Sequence, residues 1–285
     1  MTPTARSEAI NICPPIRVTA NNYALHSDNK MHDDSTAAEY GFRGGLVPGV
    51  GVYAYMTQQA VRAFGREWIE RGAMRGKFLK PVYHGETVTV HAEQLATDAL
   101  KLSVVNSEGT VCAVGEASLP THTAPPESSH FAEAALPQYE RRRPPDLEHL
   151  PKGETLGTLP FSVELPGLRG ESGGLFYEDV CDPLEWYRGP EAVCHPAWIG
   201  ALANRVLAAN IELGPWIHTE THAQHFASPL NGEETQVRAR IHDSFEKKGH
   251  VFVVADVLWL GRGGRSLARA VHTAIVRPAH VHAGA

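Results

Sequence analysis

The sequence repeats itself at a fixed offset, and this feature constrains the fold more than any other. When the chain of 285 residues is shifted so that Trp68-Ile69 falls on Trp216-Ile217, further residues coincide without a gap. The other coincident pairs are Gly41 with Gly189, Pro48 with Pro196, Phe78 with Phe226, Pro81 with Pro229, and Glu86-Thr87 with Glu234-Thr235. Tryptophan, phenylalanine and proline seldom coincide by chance, so the repeat predicts two diverged copies of one folding unit.

Each copy contains one segment with helical periodicity. Apolar residues recur every three or four positions over residues 50–64 and again over residues 198–211. Both segments are apolar on most faces, which is typical of a helix buried against a sheet. We therefore predict one long buried helix in each unit.

Segments with strand character follow each helix. Residues 87–90 alternate between polar and apolar, and residues 102–114 have a hairpin pattern that turns at Ser107-Glu108-Gly109. The second copy repeats this pattern in residues 235–245, 251–260 and 266–276, with a turn at 261–264. Each unit is predicted to run from a lead-in strand through the helix into several antiparallel strands.

The composition excludes several classes of partner and location. The net charge is -6 and there is no basic stripe, so neither a nucleic acid nor a membrane surface is an expected partner. The one positive run, Arg141 to Arg143, lies among prolines in residues 121–160, which are predicted to be a linker. The first fifteen residues lack the apolar segment of a secretory signal, and the four cysteines include no Cys-x-x-Cys pair. We therefore expect a soluble cytoplasmic protein with reduced thiols.

Polar and glycine residues are concentrated in residues 26–55, just before the first helix, beginning with Asp28, His32, Asp33 and Asp34. The glycine-rich residues 44–49 then lead into the helix. A helix entered through glycine leaves free backbone N–H groups, and the helix dipole adds positive potential there. Such a terminus can hold a thioester oxygen as negative charge develops on it, although a tight turn alone would also explain the glycines.

This segment resembles the MaoC-like, or R-specific enoyl-CoA hydratase, branch of the hotdog-fold superfamily. That branch has an Asp-x-Asn-Pro-x-His segment, an acidic residue two positions on, a Gly-Phe step, and a His-Gly pair at the start of its helix. The matching residues here are Asn29, His32, Asp34, Gly41-Phe42 and Gly49, and the family's strand entry resembles Lys80-Pro81-Val82 and His84-Gly85-Glu86-Thr87-Val88. The resemblance extends over about residues 16–120, whereas the second copy lacks the motif.

The resemblance implies an α+β double hotdog, in which two long buried helices are each wrapped by an antiparallel β-sheet. We predict a first hotdog unit with the hydratase-like motif at residues 1–120, a proline-rich linker at 121–160, and a second, degenerate unit at 161–285. The implied substrate is an acyl thioester of coenzyme A or of a carrier protein, and the implied chemistry uses no metal and no cofactor. A homodimer of double-hotdog subunits is compatible with this prediction.

The resemblance also implies roles for individual residues. Asp28 and His32 would be the acid/base pair that adds water across an enoyl thioester, with Asn29 orienting them. The Gly49 amide would hold the thioester oxygen, and Pro48 would line the same end of the substrate site.

Two positions depart from the family pattern. The position of the catalytic aspartate holds Ser27, so Asp28 reaches the site only if the loop is one residue shorter. The helix-start histidine of the family is replaced by Pro48. If the loop does not shorten, His32 would act with one of the two aspartates that follow it, or the site would not hydrate.

Two other functions are compatible with the sequence. A hotdog thioesterase needs a carboxylate that faces the thioester carbonyl instead of the carbon that water attacks. A non-catalytic acyl-binding protein would keep the fold and lack the base.

The second copy has two histidine groups outside this motif. His218, Glu220 and His222 would share one face of a strand, which suggests a metal site, but the first copy has no such ligands at the matching positions. A polar edge or interface is therefore the preferred interpretation. His195 precedes Pro196 at the second helix start but has no Asp-His partner segment. We predict that only the first unit supplies acid/base groups and that the second lines the acyl tunnel.

Overall fold

The computed structural model describes residues 13–280. Its strands are β1 (Ile16–Thr19), β2 (Ala73–Phe78), β3 (Thr87–Ala96), β4 (Ala99–Asn106), β5 (Val111–Ser118), β6 (Thr155–Ser162), β7 (Ile217–His225), β8 (Glu234–Lys247), β9 (His250–Leu260) and β10 (Ser266–Arg277). Its α-helices are α1 (Asp34–Glu39), α2 (Gly49–Phe64), α3 (Arg66–Arg71), α4 (Phe176–Asp179) and α5 (Trp198–Asn210). Short 3-10 helices lie at Lys30–His32, Ser128–His130, Tyr139–Arg141, Glu185–Tyr187 and Arg262–Gly264.

All ten strands belong to one antiparallel sheet with the order β1-β3-β4-β5-β2-β7-β10-β9-β8-β6. The first five and the last five strands have the same order within their units, read outward from the centre. In each unit the long helix follows the first strand of that unit and precedes the second: α2 lies between β1 and β2, and α5 lies between β6 and β7. The predicted α+β double hotdog is therefore confirmed, and the two units share one continuous sheet.

The two units meet where β2 pairs with β7. The pairing is antiparallel and runs from Ala73 opposite Gln224 to Lys77 opposite Glu220. Backbone hydrogen bonds therefore cross the boundary between the copies. The start of β7 also lies close to the start of α2, because a Cβ atom on Gly49 would lie 2.7 Å from His218 Nδ1.

The helix α2 is buried on nearly every face, as its apolar sequence predicts. Tyr53, Tyr55 and Met56 are each at most 2% exposed, and burying such a side chain stabilises the fold by about 1.5–3 kcal/mol. Glycine at position 76 of β2 allows this close packing, because a Cβ atom there would lie 2.8 Å from both Tyr53 and Met56.

The segment predicted as a linker, residues 121–160, contains the first part of β6. This strand is at the edge of the sheet, where it tolerates Pro160 because a proline there need not donate a ladder hydrogen bond. Phe131 is 2% exposed and packs with Leu258 and Leu260. The linker therefore contributes to the packed structure, while the exact domain boundaries remain a prediction.

No helix within residues 13–280 combines the length and apolar character needed to cross a bilayer.

Candidate functional site

A cavity of about 210 Å³ opens between the start of α2, the loop before it, and the strand β7 of the second unit. Most of its wall is apolar, formed by residues that include Phe42, Leu46, Val47, Val52, Phe78, Val82, Ile217 and Ile275. Its polar lining residues are Asn29, Lys80, Asn204, Thr219 and the two histidines His32 and His218. A small apolar chamber with a few polar groups is typical of a site for a small organic ligand.

The loop that carries the hydratase-like motif is fixed to the glycine turn before α2. The backbone N–H of Leu46 donates to the carbonyl of Met31 at 3.1 Å, and the N–H of Gly45 donates to the Asp34 carboxylate at 2.7 Å. Position 45 must be glycine, since a Cβ there would overlap the carbonyl oxygen of His32. Asp34 therefore shapes the turn and is exposed, so the structure does not place it as a partner of the histidine.

The imidazole of His32 is held in one tautomer. Its Nδ1 lies 2.7 Å from the carbonyl oxygen of Leu46, which can only accept, so Nδ1 carries the proton and donates it. The lone pair is then on Nε2. The side chain is 9% exposed, and burial lowers the pKa of His32 below its usual range, although the bond to Leu46 opposes this shift. His32 is therefore a neutral base at physiological pH.

Asn29 contacts the other ring nitrogen of this imidazole. Its Nδ2 lies 3.2 Å from Nε2 of His32 and donates to the Trp216 carbonyl at 3.0 Å. Its Oδ1 accepts from the backbone N–H groups of Met31 and Trp216. The residue caps the short Lys30–His32 helix, and this cap turns its side chain back toward the histidine.

The predicted pairing of Asp28 with His32 is not found. Asp28 is exposed, has no hydrogen bond to the imidazole, and lines a different, larger cleft together with Ser27. Because Asn29 must turn inward to cap the helix, the residue before it faces outward. Ser27 is half-buried and its hydroxyl has no partner among residues 13–280, so it does not replace a carboxylate beside His32. Asp33 is also occupied elsewhere, as the N-cap of α1.

The start of α2 presents free backbone N–H groups to the cavity. Pro48 is the N-cap, Gly49 is the first helical residue, and both line the cavity. The carbonyl of Pro48 accepts the first hydrogen bonds, from Gly51 and Val52. Within the described part of the chain no group accepts from the Gly49 amide, which is therefore available to a ligand oxygen.

His218 reaches the same cavity from the second unit. Thr219 is an extra residue in β7 relative to β10, because His218 pairs with Ala274 and Glu220 with Thr273. This bulge turns His218 inward, whereas Glu220 pairs with Arg75 elsewhere on the strand. The prediction that the histidine shares a face with Glu220 and His222 is therefore wrong. Strict alternation along β7 predicts that His218 faces away from the cavity. Sequence reasoning therefore missed this residue, because the bulge is not visible in the sequence.

His195 forms a separate buried pair with Asp182, with 3.1 Å between His195 Nε2 and Asp182 Oδ2. Its Nδ1 accepts from the backbone N–H of Ala197, and the rings of Phe176 and Tyr187 cover it. The space beside it is only about 10 Å³, too small for a substrate. This pair therefore stabilises the start of the second long helix and does not line the cavity.

Within residues 13–280, no three His, Cys, Asp or Glu side chains are grouped as metal ligands.

The fold was compared with known proteins. No protein-family model matches the sequence, and no curated protein sequence matches it. A solved structure from Chloroflexus aurantiacus, assigned as a MaoC-domain dehydratase, aligns with a TM-score of 0.60 and 11% identity over 97% of each chain. A Mycobacterium tuberculosis protein with a double hotdog fold aligns with a TM-score of 0.58 and 14% identity, over 95% of this chain and 96% of the other.

A third structure, from Thermobifida fusca and assigned as a thioesterase II, aligns with a TM-score of 0.52 and 13% identity. The alignment covers 94% of this chain and 95% of that one. These neighbours include both dehydratases and thioesterases, and at such low identity they establish the double hotdog fold alone.

Proposed function

We propose that this protein is an acyl-thioester hydratase or dehydratase, a lyase that adds water to an enoyl thioester or removes it from the product. The observation that carries the proposal is the fixed tautomer of His32. Its protonated Nδ1 donates to the Leu46 carbonyl, which leaves Nε2 as the basic nitrogen at a small apolar cavity. Gly49, whose backbone amide is free, is the first residue of α2 and lines the same cavity.

In this proposal a single imidazole moves the proton. His32 Nε2 takes a proton from a water molecule as the water oxygen attacks C3 of the enoyl group, and the same nitrogen then gives that proton to C2. The C2=C3 double bond is replaced by a C–O and a C–H bond, and the imidazole ends neutral, as it began. Because one group serves both steps, hydrogen and hydroxyl add to the same face. The 3.2 Å contact from Asn29 is at the upper end of the hydrogen-bond range, so water can compete for Nε2.

The surroundings of the cavity support a thioester substrate. A second cleft of about 800 Å³ shares Asn29, Asn204 and Trp216 with the first cavity. The acyl end would occupy the small apolar cavity, and the carrier arm would lie in the larger cleft. The volume of the first cavity favours short acyl groups.

The four cysteines are free thiols, and we keep the prediction of a reducing, cytoplasmic compartment.

The test is the conversion of crotonyl-CoA, followed by the loss of ultraviolet absorbance of its conjugated double bond. We expect His32→Ala to lower kcat about 10²- to 10⁴-fold, the contribution of a positioned acid/base group. His122→Ala is the matched control, because His122 is exposed and distant from the motif in sequence. A His32→Ala variant within a few-fold of the parent would exclude this residue from the chemistry. A crotonyl thioester on a carrier protein, assayed in parallel, distinguishes the two substrate classes.

A specific observation favours a second candidate function, the binding of acyl thioesters without turnover. No carboxylate from residues 13–280 lines the cavity, and the predicted one, Asp28, faces the larger cleft. The same observation counts against a thioesterase, which needs a carboxylate at the thioester carbonyl. Calorimetric binding of butyryl-CoA by a parent protein that neither hydrates crotonyl-CoA nor releases free coenzyme A would favour the binding function.

A further inference from the structure

A second imidazole, unpredicted by the hydratase-like motif, lies at the start of α2. His218 is 7% exposed, lines the cavity, and has its ring edge-on to Phe78 with 4.7 Å between ring centroids. A Cβ atom on Gly49 would lie only 2.7 Å from His218 Nδ1. The ring therefore fills the space that a side chain at position 49 would need, and its Nδ1 lies beside the first residue of the helix.

The other ring nitrogen of His218 belongs to a buried relay. His218 Nε2 lies 2.6 Å from the hydroxyl of Thr221, and that hydroxyl lies 2.8 Å from Nδ1 of His272. The two imidazole rings stack with 4.1 Å between their centroids. Thr221 and His272 are completely buried, so water does not reach this relay.

The relay has two arrangements, because a hydroxyl donates to one neighbour and accepts from the other. Each arrangement leaves one N–H without a partner among residues 13–280, either on His272 Nε2 or on His218 Nδ1. His272 lies in the closed core and does not line the cavity, so an N–H there could never be satisfied. A buried N–H without a partner is rare and costly. Both nitrogens are buried, but only His218 lines the cavity, so the favoured arrangement places the N–H on His218 Nδ1, at the wall that a ligand would contact.

We propose that His218 is a catalytic residue of the second unit, whose Nδ1–H donates to the thioester oxygen beside the amide of Gly49. This inference rests on the proposed function, because the oxygen in question belongs to its acyl-thioester substrate. Two donors, one from the backbone and one from a side chain, would stabilise the enolate oxygen that forms when water attacks C3. When His32 delivers the proton to C2, the enolate electron pair forms the new C–H bond, the C=O double bond is restored and the negative charge is neutralised.

The environment of His218 suits a neutral donor. Burial, together with the neighbouring His272, lowers the pKa of His218 well below its usual range. The ring therefore stays neutral at physiological pH and does not bring an unpaired charge into the core. The relay through Thr221 also fixes which nitrogen carries the proton, so the donor is in place before the substrate binds.

The experiment compares two substitutions at this position. In His218→Asn, the side-chain Nδ2 lies approximately where Nδ1 lies in the parent, so a donor is retained. His218→Leu has similar bulk and no donor. We expect His218→Leu to lower kcat for crotonyl-CoA about 10²- to 10³-fold, with KM changed only a few-fold. His218→Asn should keep most of the activity that His218→Leu loses. His222→Ala, an exposed position on the same strand, is the control and should match the parent.

A spectroscopic readout separates a donor from a packing residue. The infrared C=O stretch of bound butyryl-CoA should shift to lower frequency in the parent and in His218→Asn, and lose part of this shift in His218→Leu. Thr221→Val, which removes the relay with little change in shape, should give an intermediate loss of both kcat and shift.

Equal kcat and equal carbonyl shift in the parent and His218→Leu would overturn the assignment of His218 while leaving the proposed function intact. A parent protein that neither binds nor converts these thioesters would overturn both. If His218→Leu does not fold, as judged by circular dichroism, a Thr221→Val protein with parental kcat and carbonyl shift would overturn the proposal.

Discussion

Asn29 and Trp216 form two hydrogen bonds that join the motif loop of the first unit to the second unit. The Asn29 side chain donates to the Trp216 carbonyl at 3.0 Å and accepts from its N–H at 3.1 Å, although the residues are 187 positions apart. The side chain thus pairs with a backbone peptide as a neighbouring strand would. The same amide contacts Nε2 of His32, so the position of this imidazole depends on how the two units fit together.

Asn29→Ala should therefore reduce both stability and activity. Loss of these hydrogen bonds leaves buried backbone groups unpaired, which costs about 1–3 kcal/mol. A misplaced imidazole should lower kcat about 10- to 100-fold. Urea unfolding and crotonyl-CoA hydration measure the two effects. Asn106→Ala is the control, because Asn106 caps a hairpin turn and does not line the cavity, so this variant should lose stability without a specific loss of kcat.

Asp28→Asn should leave hydration within about threefold of the parent, because the carboxylate is exposed and faces away from His32. General acid/base groups contribute about 10²- to 10⁴-fold only when they reach the reacting atoms. The measurement is kcat for crotonyl-CoA. A loss of 100-fold or more would mean that Asp28 enters the cavity when substrate binds, as the resemblance to hydratases implies.

Gly49→Ala should reduce both activity and stability. Its methyl group would lie 2.7 Å from His218 Nδ1 and force the imidazole away from the helix start. We expect kcat to fall about 10- to 100-fold and the unfolding free energy to fall by about 1–3 kcal/mol, because the methyl group overpacks a buried site. Gly200→Ala on α5 is the matched control, because the nearest atom to a Cβ there is 3.4 Å away, an ordinary contact. Similar kcat values for the two variants would contradict this expectation.

The stability of the protein should decrease as the pH falls from 7 to 5. Burial lowers the pKa of His272 to about 3 and that of His225, beside His195, to about 4. Above the ordinary histidine pKa near 6.5 both states are neutral, and below it only the unfolded chain takes up protons. Each of these two residues should therefore cost about 2 kcal/mol at pH 5. Urea unfolding at several pH values measures the decrease, which continues down to the folded-state pKa values.

His272→Leu should make this pH dependence shallower by about one proton, because one buried neutral imidazole is removed. His242→Leu, at an exposed position on β8, is the control and should keep the parental slope. An unfolding free energy that is constant between pH 7 and pH 5 would show that these histidines are already accessible to protons.

Much of the architecture follows from the sequence, because its signals are local or repeated. The register that matches Trp68 with Trp216 predicts the duplication, and helical spacing predicts α2 and α5. Alternation and turn residues predict most of the strands. The motif also predicts that His32 and Gly49 lie at the same helix entrance, since both belong to residues 26–55, the segment that leads into α2.

Other features depend on contacts that no local pattern contains. A one-residue change of direction at the Asn29 cap directs Asp28 outward, and the bulge at Thr219 directs His218 inward. Strict period-two alternation predicts the opposite face for a residue next to a bulge. The sequence alone therefore determined the two units and the place of His32 before the first long helix, whereas the tertiary structure decided which side chains lie beside it. The reason is physical: the pairing of β2 with β7 brings together residues that are distant along the chain, and hydrogen bonds across that junction fix their orientation.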